Sequence, residues 1–390
     1  MIQLKKNLKR TYEKMKKIII FYASYGGGHL SAAKSLEKHL NENYTDLDVE
    51  LVDCMKYVNK TIERVSTAAY REMAKKMPWA WGKIYNDSQK GPLAHISSRA
   101  NSIMAIKLSH LLNEKNPDII ISTHPFGSQM CSYLKRKGKL SCPVATILTD
   151  FKSHDQWLVG NDYIDYFFVS NESMKQELID RNIDASKIHV TGIPVGDKFL
   201  ISYDKKTILA ELNFSENKKT ILFFAGGEFG LGKNKTLEVF ECLIKNFDNI
   251  QVIAISGRNQ AMKDNFVKIV LENDKQANVH IFEYTDKIAQ FMSVCDLVIS
   301  KPGGLTTSES LVSNVPMLII NPIPGQEEEN AEFLENNKIG IWLKKDSDIY
   351  LTLNVLLNDD STLNNLKQNI SSIAKPNSTK NICDIILKTC

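Results

Sequence analysis

Four glycine-containing segments of this chain put polar groups at the places where an open α/β sheet does its chemistry. The first, Ser24-Tyr25-Gly26-Gly27-Gly28-His29-Leu30, joins an apolar run to a run with helical period. Its glycines permit a tight turn and let a ligand approach bare backbone. The helix behind them offers unpaired N–H groups and the positive end of a dipole. His29 falls in the first helical turn, where a near-neutral imidazole suits a general base; a lone histidine is usually structural, but this placement favours the functional reading. The spacing is not GxGxxG, which argues against a dinucleotide. The second segment, Ala225-Gly226-Gly227-Glu228-Phe229-Gly230-Leu231-Gly232-Lys233-Asn234, also follows an apolar run. Gly227 to Lys233 fits GxxxxGK, but Asn234 stands where a phosphate loop needs Ser or Thr for magnesium. A P-loop NTPase is therefore disfavoured, while Gly226 and Gly227 remain attractive as a cradle for a diphosphate.

The third segment is Ser300-Lys301-Pro302-Gly303-Gly304-Leu305-Thr306-Thr307-Ser308-Glu309. Gly303 and Gly304 make the turn, and Lys301, Thr306 and backbone N–H groups can hold phosphate. Glu309 lies about one helical turn in, where a carboxylate can accept from two ribose hydroxyls; otherwise it merely favours the helix dipole. The fourth, Asn321-Pro322-Ile323-Pro324-Gly325-Gln326-Glu327-Glu328-Glu329-Asn330, offers Gln326, Glu327 and Asn330 to sugar hydroxyls, which both donate and accept; a solvated helix start is the alternative. Metal is disfavoured. Asp46-Leu47-Asp48 and Asp346-Ser347-Asp348 match a bare DxD, but neither follows a strand at a cleft, and HExxH and GxSxG are absent.

The elements that must position these segments read from hydrophobic period. Strands are expected at Ile18–Tyr22, Val49–Val52, Ile119–Ser122, Val144–Leu148, Tyr166–Val169 and Ile188–Val190. After a polar stretch around 199–219 they resume at Thr220–Phe224, Gln251–Ile255, Val279–Phe282, Leu297–Ile299 and Met317–Ile320. Apolar strands alternating with helices imply parallel sheets covered on both faces. The expected division is a basic arm at 1–16, one α/β domain at 17–200 and a second at 201–390, with ligands beyond the carboxyl ends of the strands. Residues 55–112 break the pattern as a helical, basic and aromatic stretch holding Trp79 and Trp81. An interfacial membrane element has this composition, as does an ordinary packed insertion.

Bulk properties narrow the class. The chain has 390 residues, a net charge of only +4, 43% hydrophobic and 24% charged residues, which fits a two-domain globular protein and gives no sign of a nucleic-acid binder. No run of ~18 apolar residues marks a membrane span, and no signal-peptide core is seen. Seven scattered cysteines without a CxxC pair argue against a disulfide framework or a zinc site and for a reducing cytosol. Met15, just before the first strand, is an alternative start to Met1.

The four segments together resemble the family of monogalactosyldiacylglycerol synthases and bacterial processive diacylglycerol β-glucosyltransferases. The resemblance runs from about Lys16 to the C-terminus. It also rests on Ser122-Thr123-His124-Pro125-Phe126, on Thr149-Asp150-Phe151 with His154 and Trp157, and on Val190-Thr191-Gly192-Ile193-Pro194-Val195. It implies a GT-B fold, two Rossmann-like domains facing a central cleft. The second domain would hold a UDP-sugar: Gly226 and Gly227 at the diphosphate, Phe282 and its neighbours at the uracil, Glu309 at the ribose, Gln326 and Glu327 at the sugar. The first would hold diacylglycerol, with Gly27, Gly28 and Asp150 in the acceptor loops, His29 as base, and Trp79 and Trp81 at an anionic membrane surface. The implied protein is a cytoplasmic, peripherally bound, inverting hexosyltransferase for glycolipid synthesis. Glucose is favoured over galactose, with neither metal nor cofactor beyond the donor. A UDP-sugar epimerase on the same fold, and a UDP-sugar-binding regulator without turnover, are the competing readings.

Overall fold

The computed structural model describes residues 15–24, 27–58, 60, 92–225 and 233–388, with side chains omitted for 92–103 and 233. Tyr25, Gly26, Gly226, Gly227, Trp79 and Trp81, and the arm 1–14, lie outside the described residues.

The chain forms two six-stranded, all-parallel sheets. The first orders its strands β2-β1-β3-β4-β5-β6, from β1 (Lys16–Tyr22), β2 (Leu47–Asp53), β3 (Ile119–Ser122), β4 (Val144–Ile147), β5 (Tyr166–Val169) and β6 (Ile188–Val190). The second orders them β12-β11-β10-β7-β8-β9, from β7 (Lys219–Phe224), β8 (Ile250–Ile255), β9 (Val279–Phe282), β10 (Leu297–Ser300), β11 (Met317–Ile319) and β12 (Gly340–Trp342). The short strand β12 is not among those expected from hydrophobic period.

Continuous apolar strands bury both faces, because successive side chains point to opposite sides. In β1, Ile18 and Ile20 join one core cluster and Ile19 and Phe21 the other. In β7, Ile221 and Phe223 face one cluster and Leu222 the opposite one. Each sheet reverses its winding once, between β1 and β3 in the first and between β7 and β10 in the second. Such switch points open a crevice beyond the carboxyl ends of the strands. Register sets what lies there: Phe21 pairs with Ser122, and Ile299 with Phe223, so the loops after β1 and β3, and those after β7 and β10, emerge side by side. Within the insertion, Cys54–Val58 and Pro92–Lys115 are helical.

Position in the chain and position in space part company at the C-terminus. The last helix, Ser378–Leu387, packs on the first sheet: Ile382, Cys383 and Ile386 are fully buried in the cluster of Ile18 and Ile20. Its start is pinned by Ser378 Oγ donating to the Ile193 carbonyl and Thr379 Oγ1 to that of Val195, both at 2.8 Å. Tyr44 donates its hydroxyl to Asp384 at 3.2 Å. Removing a buried isoleucine side chain costs ~2–5 kcal/mol. Ile386→Ala should therefore speed amide exchange in β1 and the Gly28–Asn43 helix more than in β7 or β10; the reverse pattern would detach this helix from the first lobe.

Candidate active site

His29 sits in the first turn of the helix Gly28–Asn43, beyond the carboxyl end of β1. Its Nδ1 lies 2.7 Å from the Thr123 carbonyl and 3.0 Å from Thr149 Oγ1. A carbonyl only accepts, so Nδ1 carries the hydrogen and Nε2 keeps its lone pair. Thr123 Oγ1 donates back to the His29 carbonyl at 2.9 Å, bracketing the residue. Two further imidazoles take the opposite tautomer. His124 Nδ1 accepts from Phe126 N at 3.2 Å, and His154 Nδ1 from Gln156 N at 3.3 Å, so in each the hydrogen resides on Nε2. The His29 and His124 rings meet edge to face at 4.6 Å, and the Trp157 ring lies 6.4 Å from His29. Burial drives all three histidines toward the neutral form. It lowers His29 to about 4, opposed by the Thr123 carbonyl, and His154 to about 3, where His29 and Arg181 add to the effect. His124 is pushed well below its ordinary value by burial and by both other histidines. The result is a neutral imidazole oriented as a base.

The second lobe supplies charge. Lys301 follows β10 and is only 9% exposed, and its ammonium finds no hydrogen-bond partner among the described residues. Burial lowers its pKa, and Glu327 opposes that shift. Glu327 accepts from Ile323 N at 2.7 Å; burial raises its pKa, countered by Lys301. A buried ammonium without a partner is costly unless an anion approaches it. Glu309, on the helix Gly304–Val312, is raised to about 8 by burial, with Lys198 working against the rise. Gln326 and Glu327 open the helix Gln326–Asn336 behind Gly325, whose φ of +95° needs a glycine. The Phe282 ring packs 5.0 Å from Phe291, and its carbonyl accepts from Ser256 N at 2.8 Å, so Phe282 offers a wall rather than a free polar group. Gly303 and Thr306 stand at the start of the Gly304 helix, and Gly303 has open space where a side chain would be.

The two halves touch where the loops after β4 and β10 meet. A Cβ on Gly304 would lie 1.9 Å from the Thr149 carbonyl oxygen, and one on Gly28 would lie 3.8 Å from Leu305. The His29 helix and the Glu309 helix thus start against each other. Asp150, expected in an acceptor loop, and Asn330, expected at the sugar, meet in this contact. Asn330 is wholly buried: its Oδ1 accepts from Phe151 N at 2.8 Å, and its Nδ2 donates to the Pro302 carbonyl at 3.0 Å and to Asp150 Oδ1 at 3.3 Å. Asp150 is raised to about 7, by burial first, then by Glu329 and Glu327, with Asn330 opposing. Phe151 and Phe333 stack at 4.8 Å beside it. Gly27 is exposed on its turn. Reading from sequence gave no role to Thr123, Thr149 or His124, although the motifs holding them stood out, and nothing in the sequence pointed to Lys198. Among the described residues no cluster of three His, Cys, Asp or Glu is arranged for a metal ion.

Residues 29–195 match the family described as monogalactosyldiacylglycerol (MGDG) synthase, and residues 221–382 the glycosyltransferase family 28 C-terminal domain. The chain is 30% identical over 380 residues to a processive diacylglycerol β-glucosyltransferase of Bacillus cytotoxicus, covering 95% of this chain and 93% of the relative. It is 30% identical over 379 residues to the protein of the same name from Bacillus subtilis, covering 96% and 95%. The chain belongs to this family of glycosyltransferases. Solved structures extend the likeness in fold. MurG of Acinetobacter baumannii superposes with a TM-score of 0.63 at 15% identity, over 96% of this chain and 99% of that one. MnaA of S. aureus with UDP superposes at 0.64 and 13% identity, over 95% and 96%. The expected GT-B architecture is thus the one observed. In this glycosyltransferase the His29 signal, followed by NMR of the ring carbons, should titrate near pH 4 and retain the Nδ1–H tautomer at neutral pH; a midpoint near an ordinary ~6.5 would contradict the burial described.

Proposed function

We propose that the protein transfers glucose from UDP-glucose to the free hydroxyl of diacylglycerol, giving a β-glucosyldiacylglycerol by single displacement with inversion. The observation that carries this reading is the pairing of helix starts. A neutral His29 with Nε2 free stands on one, and the helix bearing Glu309 begins against it, with only 3.8 Å between a Gly28 Cβ position and Leu305. In the proposed step, His29 Nε2 takes the acceptor proton as the oxygen attacks the anomeric carbon. The departing UDP meets the start of the Gly304 helix and the buried Lys301 ammonium. Glu309 accepts from the ribose, Gln326 and Glu327 from the sugar, and Gly226 and Gly227 line the diphosphate. No metal or separate cofactor takes part. The names of the sequence relatives favour a diacylglycerol acceptor and glucose over galactose. They also favour transfer over epimerisation, whose examples match only at the level of fold.

Among the described residues no helix is long and apolar enough to cross a membrane. Access to a lipid acceptor is proposed to come from peripheral binding at the cytoplasmic face, through the insertion holding Trp79 and Trp81 beside Lys75, Lys76 and Lys83, against anionic lipid worth ~1 kcal/mol per lysine.

Diacylglycerol liposomes incubated with labelled UDP-glucose or UDP-galactose, then resolved by lipid chromatography, test the reaction. Labelled glycolipid from UDP-glucose is expected, and none from either donor would sink the reading. His29→Ala should cost ~10²–10⁴-fold in turnover with UDP affinity kept. Glu309→Ala should instead weaken UDP binding by calorimetry, since a hydrogen bond is worth ~0.5–1.5 kcal/mol net and a buried partner left unpaired costs ~1–3 kcal/mol. Joint substitution of Trp79 and Trp81 by alanine should reduce cosedimentation with anionic liposomes and spare UDP binding; cosedimentation like wild type would move the membrane contact elsewhere.

A further inference from the structure

Asn330 comes from the second lobe, yet two of its three hydrogen bonds cross to the first. Its Oδ1 takes Phe151 N at 2.8 Å and its Nδ2 reaches Asp150 Oδ1 at 3.3 Å, while the remaining Nδ2 hydrogen holds the Pro302 carbonyl of its own lobe at 3.0 Å. The pattern fixes the amide orientation, because Phe151 N can only donate and the Pro302 carbonyl can only accept. Both amide hydrogens are used, Oδ1 keeps a single unpaired lone pair, and the residue is fully buried. The loop it grips, Thr149-Asp150-Phe151, is the one whose Thr149 hydroxyl lies 3.0 Å from His29 Nδ1. The loop it hangs from is the one whose Gly304 has no room for a Cβ against the Thr149 carbonyl. The Phe151 and Phe333 rings stack at 4.8 Å beside the contact.

We propose that Asn330 is a positioning residue: it clasps the loop beside His29 to the loop beside Lys301, and so holds the base and the leaving-group cation at one separation. This rests on the proposed transfer reaction, in which alignment of a base against an activated sugar sets the rate. A residue that only held the donor would lower UDP-sugar affinity when altered. A clasp lowers turnover and leaves UDP-glucose affinity in place.

Asn330→Asp tests this with little change in shape. It keeps the acceptor for Phe151 N but presents an oxygen to the Pro302 carbonyl and to Asp150. Turnover should fall ~10–100-fold, the rate equivalent of leaving buried polar groups unsatisfied, with UDP-glucose affinity, measured by calorimetry without acceptor, unchanged. Combining Asn330→Asp with Asp150→Asn restores a donor–acceptor pair across the contact and should recover part of the loss. Small-angle scattering of each protein with UDP reads lobe separation without turnover: the single Asn330→Asp variant should be the more open, and the double variant closed again. A parallel loss of UDP-glucose affinity, or an equally compact single variant, overturns the clasp. If the wild-type protein transfers no sugar, the proposed function fails while the scattering comparison still decides the clasp. If Asn330→Asp does not fold, recovery of a folded, closed double variant supports the clasp, and a folded but open double variant overturns it.

Discussion

One close approach organises this molecule: the Thr149 carbonyl lies where a side chain on residue 304 would begin. Because every strand in each sheet is parallel, all carboxyl ends leave their sheet along one edge. Two such edges facing each other bring together loops far apart in sequence. Contact at Thr149 and Gly304 fixes how near those edges come, and a methyl group at 304 would force them apart. The C-terminal helix closes the same arrangement from behind, tying the end of the second lobe into the first through Ile382 and Ile386. The cleft geometry is thus set by backbone at its floor and by apolar burial at its back, and the polar residues operate within that frame.

Burial then decides which groups carry charge. The three histidines of the first lobe are held neutral by desolvation, while Asp150, Glu309 and Glu327 are all shifted upward by it. Lys301 is shifted downward, yet it still has Glu327 to favour its charged form. An entering diphosphate therefore meets a weakly charged first lobe and, in the second, an ammonium with no hydrogen-bond partner among the described residues. The asymmetry suits a reaction in which negative charge grows on a leaving group at one wall and a proton is removed at the other.

Hydrophobic period exposed eleven strands and both sheets, because buried parallel strands are continuous apolar runs. The twelfth, Gly340–Trp342, opens on a glycine in a short run between a helix and Lys344-Lys345, and it is pairing with β11 that makes it a strand. Glycine-to-helix transitions exposed His29, Lys301, Glu309 and Gln326, since such turns have a local signature. The contacts of Asn330 across the lobes were hidden because its motif is read along one chain segment, whereas its partners Asp150 and Phe151 lie about 180 residues away. The same blindness hid Thr123 and Thr149, whose roles come from facing His29 across the sheet. It hid the return of the last helix to the first lobe as well, because an amphipathic helix does not declare which sheet it will cover.

The burial that orients His29 also makes it a weak base in the empty site, at about 4. Such a base is slow to take a proton from a hydroxyl, since proton transfer is best served by a pKa near the working pH. A nearby negative charge favours the imidazolium and raises the pKa. In the proposed reaction the diphosphate of the donor brings that charge to the start of the Gly304 helix, which abuts the His29 helix. Donor binding would then raise the basicity of His29 just when an acceptor is to be activated, and the NMR titration repeated with UDP bound reads the shift directly. The tautomer set by Thr123 keeps Nε2 as the nitrogen whose basicity changes, so the carbonyl that orients the ring and the donor that tunes it act on the same lone pair.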